Sequence, residues 1–179
     1  MSETRFATRI SLAFFIAGTI LLAAYYYTMS PTVALIGYSY TGLAALTGII
    51  YLILIGFRII SRKIDSFTGL KCAGIVLINL PIAALYFYFV MVLMTTARIT
   101  FENATGRDIS SVSIGGCSNQ ELGELKTGES KTVWIRIKSD CSLVLFYKID
   151  REPKLETPFQ YLTHNNGMIA TYKIGNKIK

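Results

Sequence analysis

The chain has 179 residues, of which 52% are hydrophobic and 16% are charged, and it carries a net charge of +7. Soluble globular proteins usually contain about 25% charged residues, so the composition excludes a protein that is soluble along its whole length. The positive charge is not gathered into one basic tract, and we therefore expect no nucleic-acid partner.

The shortage of charge is confined to the first half of the chain. Residues 1–97 contain six of the 18 basic residues and two of the 11 acidic ones. Residues 98–179 have an ordinary polar composition and are numerous enough for one modest hydrophobic core. We predict a transmembrane domain over residues 1–97 and a separate β domain over residues 98–179.

Three apolar segments, 10–29, 33–57 and 70–97, are each long enough as helices to cross a hydrocarbon core of about 30 Å. The first segment ends in Tyr25, Tyr26 and Tyr27, whose rings suit a membrane–water interface. It is also longer than the apolar region of a cleavable signal peptide. We predict a bundle of three transmembrane helices whose first helix is retained.

The second segment carries small residues at helical spacing, and such pairs allow helix backbones to approach closely. Two interpretations stay open: packing among the helices of one chain, and a homo-oligomer seam. The residues concerned are Gly37, Thr41, Ala44 and Gly48.

Asn79 and Pro81 interrupt the third apolar segment. Proline frees a carbonyl one turn earlier and kinks a helix, and Asn79 is placed to hydrogen-bond to a neighbouring helix. The alternative is a hinge or a polar point that lines a pore. No charged residue lies in the interior of a span, so ion or proton transport lacks its usual carriers.

The basic residues of the membrane half predict its orientation. Arg5 and Arg9 precede the first segment, and Arg58, Arg62, Lys63 and Lys71 fall in a predicted loop over residues 58–71. Cytoplasmic loops are enriched in Lys and Arg. This places the amino terminus and the 58–71 loop inside, and residues 98–179 outside. We expect a multi-pass protein of the bacterial inner membrane with a periplasmic carboxyl-terminal domain. The same loop can also bind an anionic lipid headgroup or a cytoplasmic protein.

The outer half alternates between apolar and polar residues, which is typical of half-buried strands. Ile109 is out of phase with Val112 and Ile114, which predicts a bulge. Residues 142–149 are apolar on both faces and are expected to form a central strand. Residues 151–158 contain two prolines and are expected to form a loop, and Asn165–Gly167 a turn. The predicted strands are 98–102, 109–114, 132–138, 142–149 and 168–174, within a total of six or seven.

This pattern predicts a small antiparallel β-sandwich, immunoglobulin-like in the loose sense. Cys117 and Cys141 both lie in this half, and an oxidising compartment would allow a structural disulfide between them. Such a bridge closes a loop of about 24 residues and is worth roughly 3 kcal/mol in the chain-entropy model. No CxxC spacing points to a redox-active pair.

Trp134, the only tryptophan, shares a strand face with Arg136 and Lys138. Such a face is either a contact site for a partner, or a structural surface that packs on a second sheet or on lipid headgroups. His164 is the only histidine and lacks arranged co-ligands, so we expect no metal site. We find no catalytic motif, and we expect neither an enzyme nor a cofactor.

These features favour a non-catalytic sensor or anchor in the lipid bilayer. Its periplasmic β domain would bind an envelope partner and relay the event, through the helices or the 58–71 loop, to a protein partner. A subunit of a phage-defence or envelope-stress system would fit this description by its class of architecture. The alternatives are an immunity protein that neutralises a membrane-active or periplasmic toxin and, less favoured, a channel or transporter subunit.

Overall fold

A computed structural model describes residues 3–176, over which four helices are followed by seven strands. The chain divides into two compact units, residues 1–90 and 91–179. The membrane boundary at residue 97 stays a prediction. The elements are α1 Glu3–Thr28, α2 Pro31–Ile60, α3 Ser66–Leu77, α4 Asn79–Met94, β1 Thr96–Asn103, β2 Ile109–Gly116, β3 Gln120–Leu125, β4 Ser130–Arg136, β5 Cys141–Ile149, β6 Glu152–Leu162 and β7 Met168–Ile174.

Three helical stretches are long and apolar enough to cross a membrane: α1, α2, and α3 together with α4. The segments predicted at 10–29 and 33–57 correspond to the apolar parts of α1 and α2, both of which are longer than predicted. Nothing in the polar residues before Ile10 breaks a helix, so α1 continues through them. Pro31 occupies the first turn of α2, where its missing N–H costs no hydrogen bond.

The third helix was predicted over 70–97, and its bounds are wrong at both ends. The helical stretch begins at Ser66, where the carboxylate of Asp65 accepts a hydrogen bond of 2.8 Å from the backbone N–H of Thr68. It is broken at Ile78 and ends at Met94. Ala97 belongs instead to β1 and is fully buried in the β core. Strand pairing, which begins at Thr96 opposite Arg136, replaces the last predicted helical turn.

The predicted loop over residues 58–71 is also mostly helical. Arg58 lies in α2 and Lys71 lies in α3, where its ammonium group is 4.1 Å from the centre of the Phe67 ring. Only residues 61–65 connect the two helices. Of the four basic residues assigned to this loop, only Arg62 and Lys63 lie in the connection itself.

The strands form two sheets, with the orders β4–β1–β7 and β3–β2–β5–β6. The four-stranded sheet is antiparallel, whereas β1 pairs antiparallel with β4 and parallel with β7. The expectation of a wholly antiparallel domain is therefore wrong for one pair. Parallel neighbours need a long connection, and here the chain crosses to the other sheet and back twice before β7 reaches β1.

Within the four-stranded sheet the central position predicted for β5 is confirmed. The bulge after Ile109 is confirmed by the shift in register before Val112. The loop predicted at 151–158 is wrong, since residues 152–158 lie in β6. Its prolines are tolerated because β6 is an edge strand, where one side of the backbone needs no ladder hydrogen bond. Asp150 and Arg151, with φ of 51° and 71°, form the tight turn that precedes it.

One hydrophobic cluster joins the two sheets. The inward side chains of β1 are fully buried, as are those at the middle of β5. Each such large apolar side chain contributes about 1.5–3 kcal/mol when it leaves water. The fully buried members are Ala97, Ile99, Phe101, Leu125, Ile135, Leu143, Leu145 and Ile174.

A single carboxylate, that of Glu156 on β6, also connects the sheets. It accepts hydrogen bonds from the hydroxyl of Tyr147 on β5 at 2.7 Å, from the hydroxyl of Tyr172 on β7 at 2.8 Å, and from the backbone N–H of Gly175 at 3.1 Å. Burial, followed by the bond to Glu156, raises the pKa of Tyr172 to about 12. The same causes raise the pKa of Tyr147.

Replacing Glu156 with alanine removes the acceptor of all three hydrogen bonds. We expect the free energy of unfolding of the 91–179 unit to fall by about 2 kcal/mol, since bonds to charged groups are strong and water replaces them only in part. Chemical denaturation of the full chain, followed by the fluorescence of Trp134, measures this value. In the matched control Glu152→Ala, on the same strand, the exposed carboxylate bonds only to Lys154 at 3.2 Å, so the change should stay below about 0.5 kcal/mol. Equal losses in the two variants would contradict the role given to Glu156.

The raised pKa of Tyr172 predicts alkaline sensitivity. Its pKa rises from 10.0 to about 12 on folding, so between these values the unfolded chain binds fewer protons than the folded chain. The stabilisation is therefore complete below pH 10 and is lost as the pH rises towards 12. In this window the slope of the unfolding free energy against pH is proportional to the difference in bound protons between the two states. Tyr172→Phe should reduce that difference by up to one proton. An unchanged slope would contradict the assignment.

Candidate functional site

The outer face of the β4–β1–β7 sheet brings an arginine, the tryptophan and an apolar residue together. Arg98 lies directly opposite Trp134 on one side and Ile169 on the other. The guanidinium carbon of Arg98 is 5.3 Å from the Trp134 ring centre, within the range of a cation–π contact. Trp134 is 42% exposed and Ile169 is 41% exposed. Packing of Trp134 against a second sheet, one of its predicted structural roles, is therefore wrong.

The other predicted contact residues lie on the same side. Arg136 is exposed and pairs with Thr96, and Lys138 follows it two residues on, also exposed. Ile135 and Ile137 alternate with them and point into the core. We call this surface the basic–aromatic face, made of Arg98, Trp134, Arg136, Lys138 and Ile169.

Sequence reasoning found three of these five residues. Arg98 was placed on the polar side of β1 by its alternation with Ile99, but nothing in the sequence gives the register that sets it against Trp134. Ile169 was missed because the parallel pairing of β7 with β1 is not encoded in a short local pattern.

The predicted cysteines are joined in a disulfide, with Cα atoms 5.3 Å apart. The bridge links the residue after β2 to the first residue of β5. Gly116 precedes it with φ of 90°, and a Cβ there would lie 2.1 Å from the carbonyl oxygen of Ser142. Only glycine allows this close approach, which brings Cys117 to its partner. Cys72, the remaining cysteine, is free and fully buried in the helical unit.

Asp140, the residue before Cys141, fixes the neighbouring turn. It accepts hydrogen bonds from the hydroxyl of Tyr161 and, at 2.8 Å, from the backbone N–H of His164. These bonds, the one from Tyr161 first, lower the pKa of Asp140. The Nδ1 atom of His164 lies 2.7 Å from the carbonyl oxygen of Ile137. Both side chains thus hold the turn beside the end of β4, and residues 3–176 contain no cluster of His, Cys, Asp and Glu that could hold a metal.

In the helical unit Asn79 makes a hydrogen bond between helices. Its amide donates to the hydroxyl oxygen of Ser11 at 2.8 Å, and Ser11 in turn donates to the carbonyl of Ile75 at 3.1 Å. The break at Ile78, three residues before Pro81, lies beside this junction. The predicted interhelical bond of Asn79 is therefore present, and a kink or a hinge at the same place stays a prediction.

The small residues of α2 line a cavity of about 280 Å³ inside the helical unit. A Cβ at Gly48 would lie 3.7 Å from Val76, so Gly48 packs within the chain, whereas a Cβ at Gly37 would have no neighbour within 4 Å. The predicted homo-oligomer seam is thus packed at one end and open at the other, and self-association stays a prediction. The four predicted residues in the lining are Gly37, Thr41, Ala44 and Gly48.

The charged end of the helical unit contains one ion pair that the sequence did not reveal. Arg58 on α2 bonds to Glu3 on α1, with both side chains partly exposed. The two residues are too far apart in sequence for a local signal to predict them. Arg62 and Lys63 are exposed in the connection that follows. All four basic residues predicted to recruit a partner are exposed, and these two are the ones in the connection itself.

No protein-family model matches the chain, and comparisons with curated proteins and with solved structures find no significant match.

Proposed function

We propose that the protein is a non-catalytic, three-span component of the bacterial inner membrane that binds an envelope partner as a sensor or anchor. Its two β sheets pack as a sandwich in the periplasm, and its amino terminus and the 61–65 connection face the cytoplasm. The observation that carries the proposal is the exposed basic–aromatic face on the β unit.

Two independent arguments support the orientation. The basic residues of the helical half cluster at the amino terminus and around residues 58–71, whereas the connection at Met29–Ser30 carries no charge. The disulfide lies in the other unit, and disulfides persist in oxidising compartments such as the periplasm. Both arguments favour a β unit that lies outside the cytoplasm.

A binding role is supported by the chemistry of the face. Tryptophan and arginine are the residues that most often dominate the energy of a protein interface. Here Trp134 and Arg98 are held in contact and in register on a rigid sheet, so little conformational entropy is lost on binding. In a sensor, the exposed Arg62 and Lys63 would pass the signal to a cytoplasmic partner. In an immunity protein, the same face would bind the toxin instead.

The orientation is tested by a reporter fused after Lys179. We expect alkaline phosphatase to be active there and a cytosolic fluorescent reporter to be dark. In the same cells Cys117 and Cys141 should resist alkylation until a reductant is added. A reporter that is active only in the cytosol would overturn the orientation and the proposed periplasmic partner.

The binding role is tested by a photo-crosslinking residue at Trp134 in living cells. We expect a discrete crosslinked product with an envelope component, since this position lies at the centre of the face. The matched control carries the same residue at Lys148, which is exposed on the four-stranded sheet. Equal labelling at both positions would argue against a specific site.

A further inference from the structure

We infer that the basic–aromatic face docks on the anionic phospholipid headgroups of the membrane that the chain spans. The inference rests on the proposed membrane insertion, and it names the partner of the same face. It depends on where the face lies relative to the end of α4, on how its chemistry changes along the strands, and on its charge.

The end of the face lies against the last turn of α4. Thr96 donates from its hydroxyl to the carbonyl of Val92 at 2.7 Å, and Ile137 donates its N–H to the carbonyl of Thr95 at 2.8 Å. The backbone of Gly167 approaches so closely that a Cβ there would lie 2.4 Å from the carbonyl oxygen of Leu93. The first residues of β1, the end of β4 and the connection into β7 therefore surround the point where the apolar helix ends.

The outward side chains form four rows across the sheet, and their chemistry changes with distance from the helix. The first row pairs Thr96 with Arg136, and the second contains a cation, an aromatic ring and an aliphatic residue. The third consists of threonines, two of them joined by a hydrogen bond of 2.8 Å, and the fourth holds an ion pair of 3.5 Å between Lys173 and Glu102. The last three rows are Arg98, Trp134 and Ile169; Thr100, Thr132 and Thr171; and Glu102, Ser130 and Lys173.

This gradient matches the profile of a membrane surface. A strand rises about 3.3 Å per residue, so the first two rows lie within roughly 7 and 13 Å of Met94, and the others within roughly 20 and 26 Å. The headgroup layer is about 5–8 Å deep on each side. The long side chains of the second row can extend back towards the headgroup layer, and Trp and Arg side chains prefer that layer. The threonine and ion-pair rows extend into water.

The charge of the face agrees with an anionic surface. Arg98, Arg136 and Lys138 are all basic, and the nearby carboxylate of Asp140, which stays charged while it accepts hydrogen bonds from Tyr161 and His164, offsets one of these charges. Anionic headgroups attract Lys and Arg that lie at the membrane surface. The face therefore presents several cations and an interfacial aromatic ring on the side of the domain where the chain leaves the helix.

Trp134 is the only tryptophan, so its fluorescence in the full chain reports on this face without a label. The chain is placed in nanodiscs of phosphatidylcholine alone or mixed with phosphatidylglycerol. With the anionic lipid we expect blue-shifted emission, quenching by lipids brominated near the headgroup, and reduced quenching by iodide. High salt should reverse all three effects.

The cations are tested by the double variant Arg136→Gln/Lys138→Gln, which leaves the Arg98–Trp134 contact in place. We expect the ratio of docked to undocked face to fall roughly 25-fold, about fivefold for each cation removed. The control Lys148→Gln/Lys173→Gln has the same change in charge, on the other sheet and on the fourth row, and should behave as the native chain. Equal effects of the two variants would overturn the inference.

Other occupants give distinct results. If iodide quenches Trp134 equally in neutral and anionic discs, docking on anionic headgroups is overturned. This holds whether the quenching is strong in both kinds of disc or weak in both. Shielding that increases with the number of chains per disc would assign the face to a second copy and would also overturn the inference. A chain that inserts in the discs with an exposed Trp134 leaves the proposed function standing, whereas failure to insert removes both.

Discussion

The passage from helix to strand at Thr95 is the constraint on which the β unit depends. α4 ends at Met94 and β1 begins at Thr96, so one residue separates an apolar helix from a strand. The backbone groups freed at the helix end must therefore find partners at once. They do so locally: Thr95 and Thr96 bond back to the last turn, and Ile137 bonds to the carbonyl of Thr95.

The strand that begins at this junction is the middle strand of its sheet. β1 lies between β4 and β7, and its inward residues Ala97, Ile99 and Phe101 are fully buried in the cluster that joins both sheets. Glu156 adds a polar link, since its bonds to Tyr147 and Tyr172 connect strands of different sheets. The last turn of α4, which belongs to the 91–179 unit, thus leads directly into the middle strand of one sheet.

Local patterns predicted much of this fold, and the errors have physical causes. Alternation placed Ile135 and Ile137 on one face of β4 and Trp134 and Arg136 on the other, because a strand with one buried face has a period of two, but it left open which environment the Trp134 face meets. The prolines of β6 suggested a loop, since proline cannot join a central ladder, but an edge strand accepts it. Long-range pairings are different in kind: local periodicity specifies neither the parallel β1–β7 register nor the contact of Arg98 with Trp134 that follows from the β1–β4 register.

The hydrogen-bond partners of the polar side chains in the helical unit limit which of them could bind a ligand. The amide of Asn79 bonds to Ser11, the hydroxyl of Tyr40 donates to the carbonyl of Phe14 at 3.0 Å, and the hydroxyls of Thr19 and Tyr86 share a bond of 2.6 Å. These five side chains are bonded within the unit, and all but Thr19 line the cavity, whose wall is otherwise largely apolar.

Each bonded group in this wall would have to give up a partner before it could bind a solute, whereas the hydroxyl of Tyr51, which also lines the cavity, is buried without a hydrogen-bond partner among the described residues. The described lining contains no charged residue, whereas Arg62 and Lys63 are exposed in the connection between α2 and α3. A charged ligand would therefore meet cations at that connection and none in the lining.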